Sequence, residues 1–246
     1  MGDKRRHGNP IIHTECIFCG GSAIADGVQW PGWALRAARI KSADASPSPV
    51  CKNCRTEWMD AVETSAQPAA TPLIRGEAVT LNPDMQAALA QWLMLKVMAS
   101  EQDQTGEPII PQHDRSAFRL KRAIPPYVTI WVARCGSPKW RNASAKPSAL
   151  LCAPDAPPPA GGQRNGLTVA LGLGELFAYA VISTAQTVSL NDFIILEDPV
   201  MRLWPLPGKD LTWPAHPAID DTGADAIARA LETLVRHPNV HLRATA

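Results

Sequence analysis

Two Cys-x-x-Cys pairs, Cys16-Ile17-Phe18-Cys19 and Cys51-Lys52-Asn53-Cys54, constrain this chain more than anything else in it. A two-residue gap lets both thiolates of a pair turn toward one point, and two pairs supply the corners of a tetrahedron of soft sulfur donors. That donor set suits a structural zinc ion; iron fits the same cage, and zinc is the expected occupant. Four cysteines fill the coordination shell and leave no open position for water or substrate, so the ion is expected to hold the fold rather than run chemistry. The spacer, residues 20–50, is longer than a compact zinc ribbon needs and suits a loop or hairpin between two knuckles. Two disulfides are the competing reading. They require an oxidising compartment, whereas the polar start Met1-Gly2-Asp3-Lys4-Arg5-Arg6 is followed by no apolar leader. A reduced, cytoplasmic setting is therefore expected.

Composition narrows the function classes. With 46% hydrophobic and 19% charged residues, the 246-residue chain is a folding sequence with room for a metal-held module and a larger domain. No run of 18 apolar residues occurs, so no membrane span is expected. The net charge of +1 lacks the basic excess that proteins coating nucleic acid usually carry. Two local clusters, Lys4-Arg5-Arg6-His7 and Arg115, Arg119, Lys121, Arg122, read first as solvated charge. Cys135 and Cys152 have no cysteine or histidine at ligand spacing and read as reduced, incidental thiols.

Along the chain, residues 1–10 read as a flexible tail, and residues 41–50 as a Ser/Pro-rich loop. The second knuckle runs into a helix with Trp58, Met59 and Val62 on one face, which Pro68 and Pro72 should end. Asn82-Pro83-Asp84 is a helix start, Asn as cap and Pro at the first helical position. Met85, Leu89, Trp92, Leu93 and Val97 follow as its core-facing stripe. Asp114-Arg115 and a short Phe118/Leu120 segment follow, with His113-Asp114 in a polar loop. Tyr127–Ala133 is the clearest strand, β-branched and aromatic. Residues 136–165 read as a long loop. Leu167–Leu173 and Leu176–Ile182 should pair as a hairpin, with the Gly172-Leu173-Gly174 run as its turn. Phe193–Leu196 is a short strand, Arg202–Pro205 and Leu211–Pro214 are extended, and Thr222–Arg236 is a last helix with Ala226, Ile227, Ala230, Leu231 and Leu234 on one face. The sum is an α+β protein: a metal-held module, a helix, then a mainly antiparallel sheet.

The N-terminal residues carry more than cysteine spacing. Cys16-Ile17-Phe18-Cys19-Gly20, then Val28-Gln29-Trp30-Pro31-Gly32-Trp33, then Cys51-Lys52-Asn53-Cys54-Arg55-Thr56-Glu57-Trp58-Met59 resemble the HNH-endonuclease-like treble-clef proteins of bacteria and phages. The resemblance implies a treble-clef (ββα-type) zinc module over residues 11–68 and an α+β domain over 69–246. In active members of that group a histidine on the strand after the first knuckle is the general base, and a second metal ion stabilises charge on the phosphate. Aligned on Pro31, the acid and histidine of that motif fall on Gly27 and Val28, and the asparagine after the fourth cysteine is replaced by Arg55. Asp26 and His13 are the nearest substitutes. The resemblance therefore implies an eroded site and a binding module. Its expected nucleic-acid contacts, to DNA or RNA, are Lys52, Arg55, Arg36 and Arg39, and a protein partner is the other option. Two further functions follow: an active divalent-metal-dependent endonuclease, and a phage structural or assembly protein, for which the eight tryptophans leave room.

Overall fold

A computed structural model describes residues 15–22, 26–27, 29–41, 46–47, 49–101, 108–152, 162–185, 199–214, 217–235 and 242–243. Helices and antiparallel strands both contribute, as the α+β reading requires. The first knuckle leads to β1 (Asp26–Gly27), which pairs antiparallel with β2 (Ser46–Pro47), and α1 (Gly32–Ala37) lies between them. The second knuckle opens α2 (Lys52–Cys54), which continues through a π-helical segment (Arg55–Met59) into α3 (Asp60–Arg75). The strand β3 (Val79–Leu81) and the long helix α4 (Pro83–Ser100) follow, then α5 (Gln112–Lys121).

Helix α3 does not stop at its prolines. Pro68 and Pro72 both lie inside it, and a boundary after residue 68 therefore falls within a helix. Each proline removes one helical hydrogen bond and costs about 3 kcal/mol. The buried stripe Val62, Ala66, Ala69, Ala70, Leu73 and Ile74 offsets that cost. The helix packs against α4; its three alanines in this stripe are buried, while the prolines lie on a more exposed side. Glu63 and Lys96 seal the contact with an ion pair at 2.5 Å.

Helix α4 begins as its sequence dictates, with Asn82 Oδ1 accepting from Met85 N at 2.9 Å. It is buried on more than the expected stripe: every residue from Trp92 to Met98 is inside, Lys96 included. The cause is position, since α3 packs on one side of it and strand β9 (Met201–Trp204) on another. Trp30 and Trp33 also stack on Trp92, with ring centroids 5.5 and 5.4 Å away. The Trp-Pro-x-Trp segment is thus a clamp on α4.

The sheet is antiparallel. Strands β4 (Val128–Arg134), β5 (Asn142–Ala145), β6 (Ser148–Leu151), β7 (Gly166–Leu173), β8 (Leu176–Ser183), β9 and β11 (Leu242–Arg243) form it among the described residues. Their order is β11-β6-β7-β8-β4-β9, with β5 also on β7. The expected hairpin β7–β8 forms, but it turns at Gly174-Glu175: Gly172 and Leu173, expected in the turn, are in β7 and pair with Phe177 and Leu176. The stretch 136–165, expected as loop, contains β5 and β6; four-residue strands with no β-branched residue carry too little signal to be read. The His113-Asp114 pair sits in the first turn of α5 instead of a loop. Strand β10 (Leu211–Trp213) leaves the sheet to pair with β3. The Phe193–Leu196 segment lies outside the described residues.

Both faces of the sheet are covered. One core runs without a break from Cys16 in the first knuckle through α3 and α4 to Trp213, joining the N-terminal segment to the inner face. A second lies under α6 (Asp221–Ala228) and α7 (Ala230–Val235), which split the expected last helix at Arg229. Ala224, Ala228 and Leu231 face that core, while Ala226 is exposed. All eight residues of β7 and of β8 are accordingly buried. Arg115, read as solvated charge, is also inside: it pairs with Glu101 and donates to the carbonyls of Met98 and Ile110 at 3.0 and 3.1 Å. A buried guanidinium needs such a full set of acceptors.

Packing is tightest where β5 crosses the hairpin. A Cβ at Gly172 would stand 1.8 Å from the carbonyl oxygen of Trp140, whereas one at Gly136 would meet its nearest neighbour, Ala218, at 3.9 Å. Gly172→Ala is therefore expected to lower stability by at least about 1–3 kcal/mol in urea denaturation. Gly136→Ala is expected to stay within about 0.5 kcal/mol of the parent.

Candidate metal centre

Each knuckle is built by backbone geometry. In the first, Cys16 N donates to Gly21 O at 2.6 Å and Gly20 N to Cys16 O at 2.8 Å. That tight loop needs Gly20 in the left-handed region, at φ 72°. In the second, Cys51 is the N-cap of α2 and its sulfur accepts from Cys54 N at 3.4 Å. Ile17 N, donating to Pro49 O at 3.0 Å, ties the two knuckles together.

The result brings Cys16, Cys19, Cys51 and Cys54 together with all four sulfurs within 4.8 Å of one another. The Sγ atoms of Cys19 and Cys51 are 3.7 Å apart. A tetrahedral thiolate shell with metal–sulfur bonds of about 2.3 Å requires sulfurs ~3.8 Å apart. The donor set and its spacing therefore fit a metal ion. Cys16, Cys51 and Cys54 are buried and Cys19 is on the rim. Cys135 and Cys152, both buried, stand outside the cluster.

The surroundings push the thiols of Cys16, Cys19 and Cys54 in different directions. Burial works to raise Cys16, but the backbone N–H groups of Cys51, Phe18 and Cys19 outweigh it and bring the thiol down to about 7. Burial pushes Cys54 up to about 12, against the pull of Trp58 and with the neighbouring thiols adding to the rise. Cys19 gains from the Gly21 N–H at 3.4 Å, yet burial and the thiols beside it raise it. Like charges gathered this closely repel, and a bound cation relieves them.

The cysteines open into a pocket lined also by Gly21, Ser22, Lys52, Asn53, Glu57 and Arg119. Of the basic residues expected to bind nucleic acid, Lys52 is there. Arg55 is half-buried, and its charge is felt at Lys96 on α4. Arg36, in the last turn of α1, and Arg39, just past it at φ 58°, are exposed and do not line this pocket. Asp26 stands in β1 opposite Pro47. His13 and Val28 lie outside the described residues, as do His216, His237 and His241.

Sequence reasoning missed Arg119. It belongs to a basic cluster that looked solvated, and nothing in its spacing announces that α5 comes to the second knuckle. The chain was compared with protein-family models, with curated proteins and with solved structures, and it matches none of them. Among the described residues no helix is long and apolar enough to cross a membrane.

Purified protein is expected to carry one equivalent of a thiophilic metal ion by elemental analysis. Cys51→Ser and Cys54→Ser are expected to lose it, with several kcal/mol of stability and roughly 10 °C in Tm. Cys135→Ser and Cys152→Ser should keep the full equivalent.

Proposed function

We propose that this chain is a zinc-stabilised, HNH-like protein whose treble-clef module has lost its catalytic residues and binds nucleic acid. The observation that carries the reading is the cluster of four cysteine sulfurs within 4.8 Å of one another where α2 begins. A filled shell stabilises a fold and leaves no position at which water can be activated. The order of elements supports a treble clef: a knuckle, an antiparallel strand pair, and a helix that starts at the second cysteine pair. The helix α1 is an insertion between the two strands.

Chemistry at the neighbouring strand has no evident agent. The positions that the resemblance would give to an acid and a histidine hold Gly27 and Val28, and neither side chain takes or gives a proton. What the module offers a ligand is cationic: Lys52, Arg36 and Arg39 are all exposed. With a net charge of only +1 the attraction must be local, and hence shallow in its salt dependence.

A mobility-shift titration of the metal-loaded chain with duplex DNA and with RNA tests this. Binding is expected at low salt and should weaken as salt rises, with a log–log slope of about −0.9 for each phosphate contacted on duplex DNA. The triple change Arg36→Gln, Arg39→Gln, Lys52→Gln should flatten that slope by up to about 3. Failure to bind any nucleic acid at low salt would reject the proposal and leave a protein-binding or assembly role. Plasmid nicking with added Mg²⁺ or Mn²⁺ that Asp26→Ala or His13→Ala abolishes would reject it in favour of an endonuclease.

A further inference from the structure

Two buried N–H donors beside the metal centre lack a partner. The indole Nε1 of Trp58 and the guanidinium Nε of Arg119 are both shielded from solvent with no hydrogen bond to the protein. Leaving such donors unsatisfied costs about 1–3 kcal/mol each. Trp58 lies one helical turn beyond Cys54 on the same helical rod. Arg119 lines the pocket into which Cys19, Cys51 and Cys54 open.

Both residues are held from the same place, the C-terminal turn of α5. The Trp58 ring meets Phe118 edge-on at 6.0 Å and Phe18 of the first knuckle at 4.9 Å. The Arg122 guanidinium covers the Trp58 ring at 4.6 Å and donates to Phe118 O at 3.3 Å. Arg122 itself takes the left-handed conformation that ends α5, at φ 58°. One turn of α5 thus supplies a wall for the tryptophan and a cation for the pocket.

Charge decides what these donors are for. A dication held by four thiolates carries a net double negative charge, and Glu57 adds another carboxylate to the pocket. Lys52 and Arg119 offset that charge; they do not create an excess that would draw in a further anion. Thiolates carrying surplus negative charge are the acceptors that buried N–H groups require.

We propose that Arg119 and Trp58 are positioning residues of the metal centre, donating to its thiolates, so that helix α5 is part of the site that retains the metal. This rests on the four cysteines binding zinc. The outer partners of a metal site typically change its affinity by about 10- to 100-fold.

The test uses the full chain and zinc alone, with dissociation constants from competition against a chromophoric chelator. Arg119→Gln is expected to weaken zinc binding by about 10-fold or more, with Arg119→Lys recovering part of the loss because it keeps the charge. Trp58→Phe keeps an aromatic ring but deletes the N–H; it is expected to weaken zinc and to shift the thiolate charge-transfer band of the cobalt-substituted protein. Lys121→Gln, an exposed change on the same turn, should leave both readouts unmoved. Zinc affinity within twofold of the parent in both Arg119→Gln and Trp58→Phe would overturn the inference while leaving the zinc reading intact. An unmoved cobalt band together with a loss of stability would overturn it too, because it would make Trp58 a packing residue only. A parent protein that binds no zinc would overturn the zinc reading, and this inference with it.

Discussion

Four sulfur atoms brought within 4.8 Å of one another at the start of a helix are the constraint on which the N-terminal third of this protein depends. Short elements surround them. Two-residue strands, a six-residue helix and two knuckles bury little by themselves, and segments of that size rarely fold without a staple. Cross-linking the knuckles anchors the first turn of the rod made by α2, the π-helical segment and α3. What the rod carries is then placed: Trp58 against Phe18 and Phe118, Val62 and Ala66 in the core, Glu63 against Lys96.

That rod explains why the N-terminal segment has no hydrophobic core of its own. Its buried residues, Phe18, Trp30, Trp58 and Met59, belong to the same cluster as Leu89, Trp92 and the inner face of the sheet. A free-standing zinc finger closes its apolar residues around itself. Here the Trp30 and Trp33 rings lie on Trp92, and the ring of Trp58 lies against Phe118. Loss of the metal ligands would therefore expose surface on α4 and α5 as well as in the knuckles, coupling the metal to the body of the fold.

The parts legible in the sequence are those with short-range causes. Cysteine spacing anticipates the cluster, Asn82-Pro83 the start of α4, β-branched and aromatic residues the strand β4, and two apolar runs about a glycine the hairpin β7–β8. The parts that were not legible have tertiary causes. Pro68 and Pro72 break an isolated helix, yet α3 runs through both because its stripe from Val62 to Ile74 is buried and the helix packs against α4. Lys96 interrupts an apolar run and is nonetheless buried, because Glu63 waits across the contact. Arg115 has the sequence neighbourhood of a surface residue and sits in the core with Glu101. Strands β5 and β6 hide in a stretch of Pro, Ala and Ser, since what holds β5 is the flat backbone of Gly172 beneath Trp140.

The same distinction separates the two halves of the candidate site. Its ligands are local: each pair is made by one turn of backbone, and the sulfurs meet because hydrogen bonds tie the two turns, that from Ile17 N to Pro49 O among them. Its surroundings are not local. Arg119 reaches the pocket on α5, whose Phe118 meets the Trp58 ring and whose Arg115 pairs with Glu101 inside the core. Electrostatics links the halves, since a thiolate cluster attracts N–H donors from wherever the fold can deliver them. Four cysteines from the first 54 residues thus share a pocket with Arg119, a cation supplied by an element far down the chain.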